Sequence, residues 1–397
     1  MKRVALNPQD RKLVVLFPLY YLAFYLCRYS LLPVLPLLVE KNILEASQVG
    51  LVISALYMGY ASTLIPAGIL SQRYGAKRTV TIGALGSTLS NFLLTCVQEF
   101  RAILVFTFTN GVFQGLIWPS LMYLVSAKFS SDKLDYVVGS MLTAAIFGPS
   151  VVFFLAGILM VFDPRAVFYT FGLFLLLLTF IFYKNIEETS VNATTFIKEV
   201  FVNRNVWLLA ASYMCFYAVV RGTLGWLPVI ISIEASLSPS IASLVSSIYP
   251  LVGSFSAFTG TLLSKRALEK EQILVASFTL SILILLSLNK QNIVFWLIAF
   301  FFTISLSEWF FFTIPPSILP PESVGLASGI IDSMGYIGSS LGAATIGFMA
   351  NTYGKYSTAL KALTIFCLAG AVFSVILSRA KQPRISEVLK SRSLFYL

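Results

Sequence analysis

The chain has 397 residues, of which 57% are hydrophobic and 11% are charged, and its mean hydropathy is +0.85. A soluble protein of this length needs far more polar surface, so the composition predicts a polytopic membrane protein. The net charge of +11 does not indicate nucleic-acid binding, because the positive residues lie in short loops between apolar segments. The chain contains no histidine, which excludes His-based metal sites, Ser-His-Asp chemistry and imidazole relays. The four cysteines lack metal-ligand spacing, so no cofactor is expected.

Segments long enough to cross a bilayer as helices occur twelve times. They cover residues 13–38, 48–70, 79–97, 101–127, 137–161, 166–183, 206–232, 241–263, 272–289, 292–314, 324–350 and 358–378. The charged N-terminal segment leads straight into the first of them without a small-residue cleavage site, which predicts a retained first helix and not a signal peptide. The predicted fold is an all-α membrane protein with twelve transmembrane helices.

The distribution of lysine and arginine predicts the orientation of these helices. Of the 28 basic residues, 20 lie in segments on the side of the two termini, six lie on the opposite side, and Arg28 and Arg221 lie inside spans. This asymmetry predicts a multi-pass protein of the cell membrane with both termini in the cytoplasm. The longest loop, 184–205, is predicted to link two six-helix halves, 1–183 and 206–378, with a cytoplasmic tail at 379–397.

The two halves contain an internal repeat at an offset of 192 residues. Phe24-Tyr25 matches Phe216-Tyr217, and Leu35-Pro36 matches Leu227-Pro228. Gly68 matches Gly260 at the same offset. Three such matches at one offset are unlikely by chance. The predicted fold is therefore two pseudo-symmetric halves of six helices each.

Arg28 and Arg221 occupy nearly equivalent places in this repeat. An arginine at bilayer depth costs roughly 3 kcal/mol on insertion scales and usually marks a solute pathway, although a buried ion pair is the structural alternative. A guanidinium binds carboxylate or phosphate through two parallel hydrogen bonds, so the pair predicts a central anion site. Arg28 follows Tyr25 by three residues, whereas Arg221 follows Tyr217 by four, a difference of about 100°. Either Gly222 and Gly225 allow local unwinding that turns Arg221 inward, or the two arginines face differently.

Other intramembrane polar and aromatic residues are candidates for the same site. Glu308 and Asp332 are the acids inside predicted spans, and each is a candidate proton carrier, a counter-charge to an arginine, or a hydrated residue near a membrane face. Asn110, Gln114 and Trp118 recur every four residues, a spacing that predicts one shared helical face. The remaining candidates for substrate contact, each with aromatic or helix packing as its alternative role, are Tyr25, Tyr217, Tyr60, Tyr336, Asn110, Gln114 and Trp118.

Four sequence strings carry a family resemblance. They are AFYLCRYSLLPVLPLLVEKN, NGVFQGLIWPS, NVWLLAASYMCFYAVVRGTLGWLP and GLASGIIDSMGYIGSSLGAATIGFMANTYG, which together sample most of the chain. The chain resembles the organophosphate:phosphate antiporter branch of the major facilitator superfamily, which includes glycerol-3-phosphate transporters. The related anion:cation symporter branch shares much of the pattern.

The resemblance implies alternating access by rocking of the two halves, with both arginines binding an anionic group. The loop between the second and third spans resembles the superfamily's loop signature, which implies a gating role for Gly68, Arg73, Gly75, Lys77 and Arg78. The signature's usual acid is Gln72 here.

Within the phosphate branch, this chain departs from the usual pattern at three positions. The usual helix-2 lysine is Leu64, the frequent helix-5 histidine is Ala145, and the common basic residue after the helix-1 arginine is Tyr29. The arginine pair is therefore kept while the rest of the phosphate shell is missing.

The sequence thus predicts a secondary active transporter, acting as a monomer, of a small anionic solute that carries a phosphate or carboxylate group. Its coupling is predicted to be either exchange against phosphate or symport with protons. The alternatives are a proton-coupled exporter of amphipathic compounds, favoured by the 14% aromatic content, and a receptor that binds without transport. An enzyme is least expected, because no nucleotide loop or nucleophile–base pair is recognisable.

Overall fold

The computed structural model describes residues 8–129, 131–188, 197–266, 269–289, 291–315, 319 and 321–393. Parts of the predicted N-terminal segment, linker and tail lie outside these ranges. The described residues form α-helices joined by short turns, so the predicted all-α fold is confirmed.

The first half contributes six spanning helices, α1–α6, within the described residues. Their bounds are Pro8–Tyr29 (α1, extended by a 3₁₀ turn at Leu32–Val34 and by Leu35–Glu40), Ala46–Tyr74 (α2), Ala76–Leu94 (α3), Phe100–Gly115 with Ile117–Lys128 (α4), Ser131–Leu159 (α5) and Pro164–Asn185 (α6). These bounds match the six predicted spans within a few residues at most ends.

The described residues of the second half form a short helix at Ile197–Val202 and six further spans, α7–α12. Their bounds are Arg204–Glu234 (α7), Pro239–Ser246 with Ile248–Arg266 (α8), Lys270–Ser287 (α9), Ile293–Ser305 with Phe310–Thr313 (α10), Pro321–Tyr353 (α11) and Tyr356–Lys361 with Thr364–Ser393 (α12). The predicted number of twelve spanning helices is thus confirmed for the part of the chain described.

Length and hydropathy support a membrane location for these helices. Ten spans among the described residues are long and apolar enough to cross a bilayer. The other two, α3 and α11, are rich in Gly, Ser and Thr, which lowers their hydropathy. Large apolar side chains cover the outer surface, for example Phe348 and Ile365, which are 68% and 67% exposed. Such a surface is typical of a protein surrounded by lipid.

Three of the helix breaks lie four residues before a proline. The helical segments end at Tyr29 in α1, Gly115 in α4 and Ser246 in α8. Proline has no backbone N–H, so the carbonyl four residues earlier loses its helical donor. The breaks therefore follow from Pro33, Pro119 and Pro250. At the place in α7 that corresponds to the α1 break, the helix is continuous through Pro228.

The same helix pairs pack together within both halves. In the first half α1 contacts α5 and α6, and α2 contacts α4; in the second half α7 contacts α11 and α12, and α8 contacts α10. The halves meet through α2 with α11 and through α5 with α8. This repetition agrees with the pseudo-symmetry that the sequence offset predicts.

The α2–α11 contact is close only at the end of the bundle away from the termini. There, a Cβ on Gly50 would lie 3.0 Å from the Cα of Gly347, and Ser54 Oγ donates to the Ser340 carbonyl at 2.7 Å. Toward the other end, a Cβ on Gly68 or on Gly329 would meet nothing within 4 Å.

The α5–α8 pair has the same arrangement. Ser243 Oγ donates to the Phe153 carbonyl at 2.7 Å near the far end, and the space beside Gly139 is open. The halves therefore separate toward the end of the bundle that carries the termini.

Glycines of α11 allow α7 to approach closely. A Cβ on Gly338 or Gly342 would collide with the backbone of Met214 or Ala218 in α7. Gly222 of α7 in turn lies against the backbone of Gly342. The expectation that the Gly-rich stretch of α11 serves helix packing is confirmed at these positions, although Gly329 faces open space.

Candidate functional site

The break in α1 places Arg28 next to a buried polar cluster. Arg28 lies in the last turn of α1. Because the helix ends at Tyr29, the Cys27 carbonyl accepts no helical hydrogen bond from a backbone N–H four residues later. That carbonyl accepts from Ser30 Oγ at 3.2 Å and from the amides of Asn91 and Asn110 at 3.1 Å each. The amides come from α3 and α4, so two other helices fix the end of α1 and with it the position of the arginine.

Arg28 is a buried cation whose hydrogen bonds are all to neutral groups. It is 2% exposed; its Nε donates to Gln114 Oε1 at 3.3 Å and its Nη1 to Tyr336 Oη at 3.2 Å. The guanidinium carbon lies 4.6 Å from the Tyr25 ring centre and 4.3 Å from that of Tyr60. The faces of these rings attract the positive charge through cation–π interactions. Nη2 is buried without a hydrogen-bond partner, and no carboxylate of the described residues lies within 4.0 Å.

Asn110 and Gln114, predicted to contact substrate, are turned toward α1. Asn110 binds the Cys27 carbonyl, and Gln114 Nε2 donates to the Phe24 carbonyl at 3.1 Å. Ser87 of α3 links the two amides, donating to Asn110 Oδ1 and accepting from Gln114 Nε2, both at 2.7 Å. Arg28 lies between these amides and the aromatic residues that face the interior, so both side chains position the arginine.

Arg221 faces a central cavity that Arg28 does not line. The cavity has a volume of about 140 Å³ and lies between the two halves. Its wall includes Arg221, Glu308 and Asp332. Helix α7 is continuous here, so the alternative in which Gly222 and Gly225 unwind is wrong, and the two arginines face differently.

Glu308 is the counter-charge to Arg221 in this conformation. Its Oε1 lies 3.9 Å from Arg221 Nη2, and the two side chains are 26% and 13% exposed. Glu308 occupies the break in α10 between Ser305 and Phe310. Arg221 Nε is buried without a partner, and the Arg221 carbonyl accepts from Tyr57 Oη at 3.0 Å. The guanidinium therefore keeps donor capacity beyond this long ion pair.

Asp332 lies on the cavity wall and makes no hydrogen bond or ion pair to another described residue. Together with Glu308 it puts two carboxyl groups inside the bundle, which also contains the two arginines. Both acids line the central cavity, which agrees with their interpretation as groups of the solute pathway.

Three tyrosines connect the two arginines across the interface of the halves. The rings of Tyr60 and Tyr336 are 4.2 Å apart, and those of Tyr336 and Tyr217 are 5.5 Å apart. Arg28 stacks on Tyr60, and the Arg221 guanidinium carbon lies 5.3 Å from the Tyr217 ring. These tyrosines line the cavity, as do Tyr25 and Trp118. All of these aromatic candidates are therefore brought together.

The predicted gating loop is fixed by an acid that sequence analysis missed. Glu188, just after α6, accepts from the backbone N–H groups of Lys77 at 2.9 Å and Arg78 at 3.2 Å. It thereby caps the N-terminus of α3, where a carboxylate is favoured by the helix dipole. Gly75 has φ +94°, and a Cβ there would collide with this carboxylate.

Two basic side chains of the loop lie on aromatic rings. The Lys77 ammonium is 4.0 Å from the Tyr183 ring centre, and the Arg73 guanidinium carbon is 5.5 Å from that of Tyr74. The described contacts of the loop are with Tyr74 and Tyr183 of the first half and with Glu188 at the start of the linker.

Sequence analysis also missed Ser87, Asn91 and Tyr57. Ser87 and Asn91 are four residues apart on α3, a spacing that places both on one helical face and was a usable signal. Tyr57 gave no comparable signal, because its bond to the Arg221 carbonyl depends on how α2 meets α7.

These features define a secondary transporter: a twelve-helix bundle whose two halves enclose a charged central cavity that is open at one end. The sequence profile of the Major Facilitator Superfamily matches residues 19–319. The chain belongs to this superfamily, whose members carry small solutes across membranes, and it is a transporter and not an enzyme.

Two relatives match along nearly the whole chain. The hexuronate transporter of Bacillus subtilis (strain 168) is 22% identical, over 91% of this chain and 92% of that protein. The glycerol-3-phosphate transporter of the same organism is 21% identical, over 89% and 88%. Among solved structures, a bacterial homologue of the human lysosomal transporter Spinster, inward-facing and occupied, has a TM-score of 0.81 at 15% identity, covering 94% of this chain and 98% of that one. The structural likeness supports the fold alone.

Some further matches are local. A probable hexose phosphate transport protein of Chlamydia trachomatis is 26% identical, but this chain spans only 25% of its length. A tetracenomycin C resistance and export protein of Streptomyces glaucescens is 30% identical over 82 residues, 15% of its length.

Proposed function

We propose that the protein moves a small anion with a carboxylate or phosphate group by alternating access, with Arg28 and Arg221 binding the anionic group. The observation that carries this proposal is the state of Arg28, a fully buried cation with a free Nη2 and no carboxylate within 4.0 Å among the described residues. A buried charge without a counter-charge is strongly unfavourable. An anionic ligand supplies that counter-charge.

Arg221 completes the site from the other half of the bundle. Its ion pair with Glu308 is long, at 3.9 Å, and its Nε has no partner. An anion that approaches from the cavity therefore competes with Glu308 for Arg221. The hydroxyl groups of Tyr25 and Tyr217, both in the cavity wall, are further hydrogen-bond donors beside the two guanidinium groups.

Charge balance favours proton symport over exchange against phosphate. Two arginines, Glu308 and Asp332 together carry no net charge when all four are ionised. A monoanion adds one negative charge, which one proton taken up by Glu308 or Asp332 offsets. A phosphate dianion requires two such protons. We therefore place a monoanion with one proton first, and exchange against phosphate second.

The separation of the halves supplies the conformational part of this proposal. The α2–α11 and α5–α8 contacts close the bundle at one end, and Gly68, Gly139 and Gly329 face open space toward the other. Because basic residues concentrate on the side of the termini, we place that open end in the cytoplasm of a cell-membrane protein. We expect the two halves, 1–183 and 206–378, to rock about the site in a monomer.

An exporter of amphipathic compounds is the second candidate. The aromatic cavity wall and the local similarity to the tetracenomycin C export protein favour it. Arg28, which has no carboxylate within 4.0 Å among the described residues, disfavours cationic substrates for such an exporter, because like charges repel in a buried site.

Counterflow in proteoliposomes tests the proposal. Vesicles are preloaded with phosphate, radiolabelled phosphate is added outside, and organic phosphates and carboxylates serve as competitors. Arg28→Ala is the inactive control. Tyr29→Phe is the matched control, since it removes a neighbouring buried hydroxyl that has no hydrogen-bond partner.

Each outcome points to one mechanism. Phosphate uptake above the Arg28→Ala level supports exchange. Carboxylate accumulation that grows with an inward proton gradient supports symport. If neither anion class moves in an Arg28-dependent way, the anion proposal is overturned, and efflux of an amphipathic dye becomes the test of the second candidate.

A further inference from the structure

The cavity wall is divided into a charged side and an apolar side. Arg221, Asp332 and Tyr336 come from α7 and α11, and Arg28 lies behind the tyrosines of α1 and α2. The wall formed by α5 consists of apolar residues, among them Ala145. The wall formed by α8 is uncharged throughout. Glu308 comes from the break in α10, next to Arg221. The charges of the wall thus lie on α7, α10 and α11, whereas the α5 and α8 walls carry none.

Aromatic rings form a large part of the cavity wall. Nine of the 23 residues that line the cavity are Phe, Tyr or Trp, including Trp118, Trp309 and Phe312. Among the described residues, no Asn or Gln side chain lines the cavity, since the amides of Asn110 and Gln114 are bonded to backbone carbonyls of α1. Ser254 of the α8 wall already donates to the Pro250 carbonyl at 2.7 Å.

This distribution of groups suits some anions better than others. The hydroxyl groups of a sugar acid or sugar phosphate each need a hydrogen-bond partner when they are buried. The α5 and α8 walls offer very few hydrogen-bond partners. An apolar ring loses no hydrogen bonds there and gains contact with aromatic side chains, which prefer offset or edge-to-face packing with another ring.

We infer that the substrate is an amphipathic monoanion: a carboxylate, or a comparable acidic group, on an apolar aromatic body that lies against α5 and α8. This inference rests on the proposed anion-binding function and specifies its substrate class. It assigns the α5 wall at Ala145, where the phosphate-branch pattern often has a basic histidine, to the recognition of the apolar body.

Binding to purified protein in lipid nanodiscs tests the inference without interference from the passive leak of weak acids. Isothermal titration calorimetry compares two pairs that share a head group and differ in the body: phenylacetate with glucuronate, and phenyl phosphate with glucose 6-phosphate. The phenyl member of each pair is expected to bind at least about tenfold tighter, because the sugar hydroxyls remain unpaired.

Two nearly isosteric variants test the role of the wall. Ala145→Asn adds an amide to the α5 wall and is expected to reduce the preference for the phenyl ligands by about tenfold. Ala145→Leu adds a similar volume without polar groups and is expected to keep that preference. An equal change in both variants overturns the assignment of this wall.

The outcomes separate this inference from the proposed function. A preference below tenfold, or tighter binding of the sugar ligands, with binding still lost in Arg28→Ala, overturns the amphipathic substrate and leaves anion binding intact. Absence of Arg28-dependent binding for all four ligands overturns both.

Discussion

Replacing Arg28 with lysine tests the proposed site most directly, because it keeps the charge and removes the planar fork. In the structure the guanidinium uses Nε for Gln114 and Nη1 for Tyr336, and it has Nη2 free. An ammonium group cannot satisfy these two partners and still offer a directed pair of donors to an anion. We expect Arg28→Lys to fold and to lose most of its transport.

The size of this effect follows from the hydrogen bonds at stake. Loss of one charge-assisted bond to the anion costs about 1.5–3 kcal/mol, which corresponds to about a 10- to 150-fold loss of affinity. The Gln114 carbonyl oxygen also loses the donor that Arg28 Nε provides, which lowers the free energy of unfolding by about 1–3 kcal/mol. Both effects arise at a residue that is only 2% exposed.

The assay is counterflow of the best anion found for the wild type, with equal amounts of protein reconstituted. Circular dichroism and size-exclusion chromatography show whether Arg28→Lys is folded, and Tyr29→Phe is the neighbouring control. Transport within threefold of the wild-type rate in a folded Arg28→Lys protein refutes the assignment of Arg28 as the main anion ligand.

Further predictions concern coupling, helix packing and the position of Arg28. Glu308→Gln is expected to stop uptake driven by an inward proton gradient while counterflow continues, and loss of both activities together would contradict a role in coupling. Gly342→Ala is expected to destabilise the fold by about 1–3 kcal/mol, because its Cβ would meet the backbone of Ala218, whereas Gly329→Ala, with open space around it, is expected to keep or raise Tm. Equal melting temperatures of the two variants in scanning fluorimetry would refute this packing argument. Gln114→Leu is expected to weaken anion binding about tenfold, because Arg28 Nε loses its acceptor; unchanged affinity by calorimetry would exclude a positioning role.

The spans and the depth of the charged residues were predictable because hydropathy and helical length decide them. A bilayer requires about 20 apolar residues per helix, and that requirement places Arg28, Arg221, Glu308 and Asp332 inside the bundle without knowledge of packing. Tyr25 and Tyr217 were predictable for a related reason, since each lies within one or two turns of an arginine on the same helix.

The orientation of the α4 side chains was not predictable from spacing. Asn110, Gln114 and Trp118 recur every four residues, yet only Trp118 lines the cavity, while the two amides face α1. The helix breaks at Leu116, between Gln114 and Trp118, so the regular spacing does not continue across the break. The cause is Pro119, which removes the donor for the Gly115 carbonyl.

The different surroundings of the two arginines also depend on tertiary packing. Their places in the repeat are nearly the same, but Arg28 binds neutral partners only, whereas Arg221 has Glu308 nearby. That difference comes from α4 and α10, which are far from either arginine in the sequence. No pattern within α1 or α7 alone could have revealed it.

This asymmetry gives anion binding a direct link to the rocking motion. Arg28 belongs to the first half and Arg221 to the second, and the tyrosines between them cross the interface. In the proposed mechanism, an anion attracted by Arg28 competes with Glu308 for Arg221, and a Glu308 carboxylate that is displaced becomes free to take up a proton. Once both guanidinium groups bind one anion, the ligand connects the halves, and it favours whichever conformation brings the two groups closest. A ligand shifts a conformational equilibrium only if its affinity for the two states differs. An anion held by both halves meets this condition, because the distance between its two binding groups changes as the halves rock. An anion bound by Arg28 alone does not meet it.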